Sequence, residues 1–559
     1  MRNTKKITII LLSMVVLISS IIGFNSLYPS KPNTNDKERL NVENQIDYIK
    51  DIALEPHSIF DYKEHERVRN YLIDEFKELG LEPKIYTYED VYVERSKTKE
   101  DLKNIYVEIK GKSDSYIMLA THYDSSRAKP ERYAEKDGSK GAADAGYGLS
   151  TILETVKTIK ENNVELNNGI KILITDGEEY GLLGAKEAVK EKEIFENVNY
   201  LINIEARGTK GPAIMFETSP NNSRVMELYD SSYKPFSYSI TPEIYKLLPN
   251  GTDFTEFLGI GINGINISVL DGLENYHTPN DSVENINKKS LQHYGDQVYP
   301  IVKEFVSNEK YSDANALNGG DDSIFFIIGN VFVKYSKTIN YVLLALIGGL
   351  ILFLNNKFGI KSILKSLKYT FINLLYTVMT MVIGFGVSKI AALINGREFK
   401  LTYLPIIKFE NTIFIICIIL AVIGYILVIR KTSNNFEEKN EYTIGSLLLL
   451  FILSIIFTIA LPGGSYLFVF PALLISLFVS INEVFEKSDI SCIMLIPISL
   501  ILILYVPTVY LFKCALTFGA LCVFMLFVMM AILSVVCSCV NIKTLLNQKY
   551  KNTKLKYNL

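Results

Sequence analysis

Two rhythms of hydrophobic and polar positions divide the chain. From about residue 40 to 312, short apolar runs alternate with polar segments and with stretches whose apolar residues recur every three or four positions. Residues 64–79 (EHERVRNYLIDEFKEL) carry that helical spacing and stop at Gly80, and residues 149–159 repeat it. The runs 104–109, 116–120, 170–175, 200–204 and 265–270 are short and rich in Ile, Leu, Val and Tyr, so they predict strands. Apolar strands alternating with helices predict an α/β fold with a mostly parallel central sheet flanked by helices.

The second rhythm is continuous hydrophobicity. A run near 18 apolar residues is long enough to cross a bilayer. Candidate spans fall at about 339–354, 369–394, 411–429, 444–461, 465–483, 490–512 and 516–540, which predicts an all-α polytopic membrane domain at 339–541. A further apolar stretch, residues 7–24, follows Arg2, Lys5 and Lys6. Its core is longer than that of a signal peptide, and Asn25-Ser26-Leu27-Tyr28-Pro29 offers no small-x-small cleavage site, so residues 1–30 read as a retained anchor. Residues 313–338 read as a linker whose apolar piece, 324–333, is too short to span and is expected to be interfacial.

Charge orients these pieces. Lys357, Lys361, Lys365 and Lys368 follow the first C-terminal span, Arg430 and Lys431 follow a later one, and the tail 542–559 is basic. Excess Lys and Arg marks the cytoplasmic side. The expected arrangement is a multi-pass protein of the cell membrane with both termini cytoplasmic and residues 40–312 outside. The loop 395–410, with Arg397, Lys400 and Lys408, weakens the pattern without reversing it. A formal net charge of -2 argues against a general nucleic-acid binder. The six cysteines, Cys417, Cys492, Cys514, Cys522, Cys537 and Cys539, all lie in the apolar part. The exported segment therefore has neither a disulfide framework nor a thiol nucleophile.

The chemistry gathers at strand ends. His122 and Asp124 follow the run 116–120, and Asp144 precedes a helix. Glu178 and Glu179 follow 170–175, Glu205 closes the strand that starts at 200, and Tyr276 and His277 lie just past 265–270. In open α/β sheets the carboxyl ends of the strands form the ligand crevice, so these distant segments share one rim. Carboxylates crowded together raise one another's pKa unless a cation is present. Two imidazoles with carboxylates suit a borderline divalent ion, zinc first. Five ligands exceed one tetrahedral zinc, whereas two metals roughly 3.5–4 Å apart and sharing a carboxylate can use them, leaving a sixth group as base. Taken singly, a His-x-Asp pair is usually structural, a Glu-Glu turn a solvated face, and Asp144 a helix cap. Their convergence on one sheet edge outweighs those readings. His57, His65 and His293 have no carboxylate company at a strand end and read as structural or surface residues.

This ordered set resembles the M28 family of zinc peptidases over roughly residues 40–305. The architecture is similar to the membrane-embedded subgroup holding the fungal vacuolar membrane protease and an animal endoplasmic-reticulum metallopeptidase. The resemblance implies two Zn2+ ions, one held by His122 and Glu205, the other by Glu179 and His277, with Asp144 bridging. It implies Glu178 as general base, Asp124 as the residue orienting His122, Asp253 and Tyr276 as pocket lining, and a peptide or protein substrate cut as by an aminopeptidase. The sequence departs from the soluble members in having Glu205 where many have Asp, and in Ala143 and Ala145 flanking Asp144. Two rival readings are a single-zinc glutaminyl-peptide cyclotransferase and a non-catalytic receptor or transporter. The former family places tryptophans near its site, and this chain has none. The complete ligand set, and spans in which Lys389 is the main charge, oppose the latter. No feature of the sequence fixes an oligomeric state.

Overall fold

The structure, a computed structural model, describes residues 2–127, 138–248, 250–313, 315–359, 363–402, 404, 407–433, 437–485 and 491–542. Lys361 and the basic tail beyond Ile542 lie outside the described residues. The chain forms two compact units, Tyr28–Phe326 with Phe332–Ser336, and Met1–Leu27 with Ile327–Val331 and Lys337–Leu559.

The first unit is built on a seven-stranded sheet. Its strands are β1 (Lys84–Val93), β2 (Thr98–Ile109), β3 (Tyr116–His122), β4 (Gly169–Thr175), β5 (Val198–Ala206), β6 (Ile214–Thr218) and β7 (Gly264–Val269). Their spatial order is β1-β2-β4-β3-β5-β7-β6. The four central strands β4, β3, β5 and β7 run parallel, while β1, β2 and β6 pair antiparallel at the edges. The mostly parallel core is as expected, and the antiparallel margins are an addition. Alternate residues of β3 serve opposite cores. Ile117 and Leu119 pack with the helices Val42–Ile52, Tyr62–Glu78, Gly146–Glu161 and Lys288–Ser307, while Tyr116, Met118 and Ala120 join Leu173, Leu201, Phe254 and Phe257 on the other face. Burial of both faces explains why these strands read as unbroken apolar runs. Each fully buried Ile or Leu contributes about 1.5–3 kcal/mol.

The strand β1 escapes such a reading because it is an edge strand with mostly partly or fully exposed residues. The apolar stretch 324–333 forms a two-stranded hairpin of β8 (Ser323–Ile328) and β9 (Val331–Ser336). Gly329, at φ +62°, supplies the left-handed turn residue that such a tight connection requires.

Among the described residues, the second unit contains eight helices long and apolar enough to cross a membrane: Lys6–Asn25, Ile339–Lys357, Ile363–Ile394, Glu410–Thr432, Lys439–Ala460, Tyr466–Val484, Cys492–Leu516 and Phe518–Val540. They coincide with the expected spans, and the protein is a multi-pass membrane protein. Polar side chains tie some of them together: Asn373 Nδ2 donates to Ser446 Oγ at 3.1 Å, and the Tyr425 hydroxyl donates to Asn373 Oδ1 at 2.9 Å. Such bonds hold apolar helices in register where the hydrophobic effect cannot.

Candidate metal centre

Four parallel strands deliver their carboxyl ends to one rim, and the local sequence turns each end into a ligand platform. The last residue of β3 is His122, fully buried. After β4 the chain turns at Gly177 (φ +70°) into a single 3-10 turn, Glu178–Tyr180. Glu205 is the penultimate residue of β5, and His277 follows β7 in a left-handed conformation (φ +57°). Asp144 lies just before the helix Gly146–Glu161.

These side chains converge in two groups, His122, Asp144 and Glu205, and Asp144, Glu179 and His277, with ligand atoms within 4.8 Å of one another in each. His122 Nε2 lies 3.2 Å from Asp144 Oδ1 and 3.6 Å from Glu205 Oε2. His277 Nε2 lies 3.3 Å from Asp144 Oδ2 and 2.9 Å from Glu179 Oε1. Asp144 thus presents one oxygen to each group. Glu179 Oε1 and His277 Nε2, although 2.9 Å apart, lack hydrogen-bond geometry, and both are buried without a partner. Buried polar atoms are rarely left so.

Backbone clamps fix the platforms. Asp124, fully buried, accepts the N–H of Glu178 at 3.0 Å on Oδ1 and that of Glu179 at 3.2 Å on Oδ2. Its carbonyl, not its carboxylate, makes the close contact to His122 Nδ1, at 2.9 Å against 3.5 Å for Oδ1. Asp281 does for Asp144 what Asp124 does for the glutamates. Its carboxylate accepts the N–H of Ala143 at 2.7 Å, that of Asp144 at 3.3 Å and the Ser139 hydroxyl at 3.0 Å. Asn203 Nδ2 donates to Glu205 Oε1 at 3.1 Å.

The pocket-lining expectations fall nearby. Asp253 opens the helix Asp253–Gly259, and the Thr175 hydroxyl donates to its carboxylate. Tyr276 stacks on the His277 ring, with centroids 3.7 Å apart. One reading of the histidines is corrected. His65 has carboxylate company: its Nε2 is 2.9 Å from Asp176 Oδ1, at the end of β4, and its ring stacks on Tyr123, whose hydroxyl donates to Asp176 Oδ2 at 2.8 Å. That buried pair sits directly before the Glu178–Glu179 turn. His57 and His293 are buried and held neutral, each pushed down to about 4 by burial.

Charge crowding is evident. Burial, then the charge of Glu205, pushes the Glu178 carboxyl well above the usual range. Burial also raises Glu179, and takes Asp253 up to about 7. Burial opposes the charged form of His122, yet Asp124, Asp144 and Glu205 raise it well above its ordinary value. His277 rises to about 9 against the same opposition, through Glu179 and Asp144. The cluster demands positive charge, which is what a cation site offers.

The sequence model of Peptidase family M28 matches residues 104–302, the stretch that carries the candidate site groups from His122 to His277. The chain is similar to human endoplasmic reticulum metallopeptidase 1, at 23% identity over 266 residues, covering 46% of this chain and 28% of that protein. It is also similar to the vacuolar membrane protease of Kluyveromyces lactis, at 24% identity over 514 residues, 84% of this chain and 54% of that one. The chain therefore spans about half or less of the length of these relatives. Among solved structures, a Zn-dependent exopeptidase from Parabacteroides distasonis is 21% identical with a TM-score of 0.39, covering 48% of this chain and 99% of that one. The glutaminyl cyclase of Porphyromonas gingivalis is 18% identical with a TM-score of 0.40 and the same coverage, 48% and 99%.

Proposed function

We propose that the protein is a membrane-bound zinc metallopeptidase, acting on amino termini, that hydrolyses peptide bonds at the His122–Asp144–His277 centre. The observation that carries this reading is the shared carboxylate, with Asp144 Oδ1 toward His122 and Oδ2 toward His277. Two histidines and three carboxylates fit zinc, and the partnerless Glu179 Oε1 and His277 Nε2 fit ligand atoms awaiting a cation. His122 and Glu205 would hold one ion, Glu179 and His277 the other, with Asp144 between them. Bound there, the ions would supply an acidified water and charge stabilisation at the scissile carbonyl.

The side chains do the proton work. Glu178 holds no ligand position, and Asp124 fixes its backbone at 3.0 Å. It takes a proton from the attacking water and delivers it to the nitrogen of the leaving amine. Burial, which disfavours the charged carboxylate, makes Glu178 the stronger base for taking the proton. Action on amino termini follows from the resemblance to M28 aminopeptidases. We assign residues 40–312 to the extracytoplasmic side, with cytoplasmic termini, on the Lys and Arg at span ends such as Lys365, Lys368, Arg430 and Lys431.

Glu178→Gln tests the chemistry. The full chain purified in detergent with zinc should retain its metal and lose about 10²–10⁴-fold in peptide turnover. Hydrolysis at the parental rate would remove Glu178 from the role of base. Products from a peptide library would show whether single residues leave from the amino end.

A further inference from the structure

A second buried carboxylate lies beside the centre and is not used by the reaction above. Glu217, in β6, is 5% exposed, and no cation among the described residues is ion-paired with it. Its Oε2 accepts from Asn266 Nδ2 at 3.1 Å, while Oε1 has no hydrogen-bond partner among the described residues. Asn266 gives its other amide hydrogen to Thr252 Oγ1 at 2.7 Å, and its Oδ1 accepts from Asn203 Nδ2 at 3.1 Å. Asn203 in turn donates to Glu205 Oε1 at 3.1 Å. The backbone sets this row, for Asn203 pairs with Asn266 across β5 and β7, and Asn266 pairs with Glu217 across β7 and β6. Both asparagines have committed their donors, so neither can turn to supply Glu217 with more. A buried carboxylate in that condition is costly unless a cation arrives.

Tyr245 joins Glu217 to the reacting centre. Its ring meets Phe216 edge-on at 4.8 Å, and its hydroxyl is close enough to feel the charges of Glu217, Glu205 and Glu178. Burial pushes the Glu217 carboxyl up to about 7; exposed Lys246 offsets this only from a distance.

Distance selects the ligand. Glu217 lies two strands from Glu205, about 10 Å at the usual spacing between strands. The α-amine of a substrate stands two bonds from the scissile carbonyl and cannot reach so far from the metal ligands. The extended stem of a lysine or arginine can, with its charge at the tip. We propose that Glu217 selects a basic residue, Lys or Arg, on the amino side of the cleaved bond, the aliphatic stem running along Tyr245 and Phe216. This rests on the peptidase reading of the centre.

The test uses the zinc-loaded full chain and peptides identical except for Lys, Arg, norleucine or Nε-acetyl-lysine at that position. The parent should prefer Lys and Arg over norleucine by about 10-fold or more in kcat/KM. Glu217→Gln, which keeps an oxygen for Asn266, should abolish that preference while leaving norleucine turnover unchanged. Absence of any basic preference, or an equal loss on all substrates in Glu217→Gln, would overturn the assignment. If the parent cleaves none of the peptides, the peptidase reading itself fails. The subsite is then judged by calorimetry of L-lysinamide against L-norleucinamide: tighter lysinamide binding that Glu217→Gln removes supports it, and equal binding overturns it.

Discussion

The two halves of the candidate centre share Asp144 but differ in how well they are satisfied without a metal. In the His122 half, Nδ1 meets the Asp124 carbonyl at 2.9 Å, Nε2 meets Asp144 Oδ1 at 3.2 Å, and Glu205 is held by Asn203 at 3.1 Å. In the other half both nitrogens of His277 and Glu179 Oε1 are buried with no hydrogen-bond partner. Leaving a buried donor or acceptor unmade costs about 1–3 kcal/mol, so the second half is the more dependent on its ion. The difference follows from where the ligands sit. His122 and Glu205 belong to adjacent central strands, whose ladders fix them, whereas Glu179 and His277 come from turns after β4 and β7.

The largest effect should come from breaking the member common to both halves. Asp144→Ala should lose both ions and all measurable peptide hydrolysis, read by metal analysis and turnover on one preparation. Retention of either ion would mean that the halves do not depend on the shared carboxylate.

A smaller effect is expected one layer out. Asp281 clamps the backbone of Ala143 and Asp144 and so supports the bridge without touching an ion. Its carboxyl is buried and pushed up to about 7 by burial, then by the neighbouring Asp144. Asp281→Ala should weaken zinc by about 10–100-fold, measured by competition with a chelator, while the chain stays folded. Unchanged affinity would reduce Asp281 to a turn residue.

The smallest expected effect lies outside both halves and sets their background. Glu154, on the helix Gly146–Glu161, is raised to about 7, chiefly by burial, with Asn44 and Asn41 donating to it at 3.0 and 3.3 Å. A carboxyl raised above its unfolded value binds more protons in the folded chain, so stability falls as pH rises from about 4.5 to 7. Glu154→Gln should therefore stabilise the domain at pH 8 by about 1–3 kcal/mol and do little at pH 4, judged by thermal unfolding. Equal effects at the two pH values would show that ionisation is not the cause.

The clustering of His122, Glu178, Glu179 and Glu205 was legible because each closes or follows an apolar run, and apolar runs become parallel strands whose carboxyl ends share a rim. The eight long apolar helices were legible for the same local reason. What the sequence hid is pairing between distant segments. His65 lies on a charged helix and looks like a surface residue, yet the fold brings it to Asp176 at 2.9 Å. Asp281 looks like one more polar residue of a turn, and only the folded loop shows it gripping two amides. Asn203, Asn266 and Glu217 sit inside strands, where single polar residues carry no signature until strand order sets them side by side. The strand β1 was missed because its residues are mostly exposed at the sheet edge, and β6 because it is only five residues long.

Zinc stoichiometry of the purified full chain decides whether Asp144 joins two ions. Two zinc ions per chain are expected, one in His277→Ala with the His122 site retained, and none in Asp144→Ala. A single zinc in the parent, unaffected by His277→Ala, would contradict it.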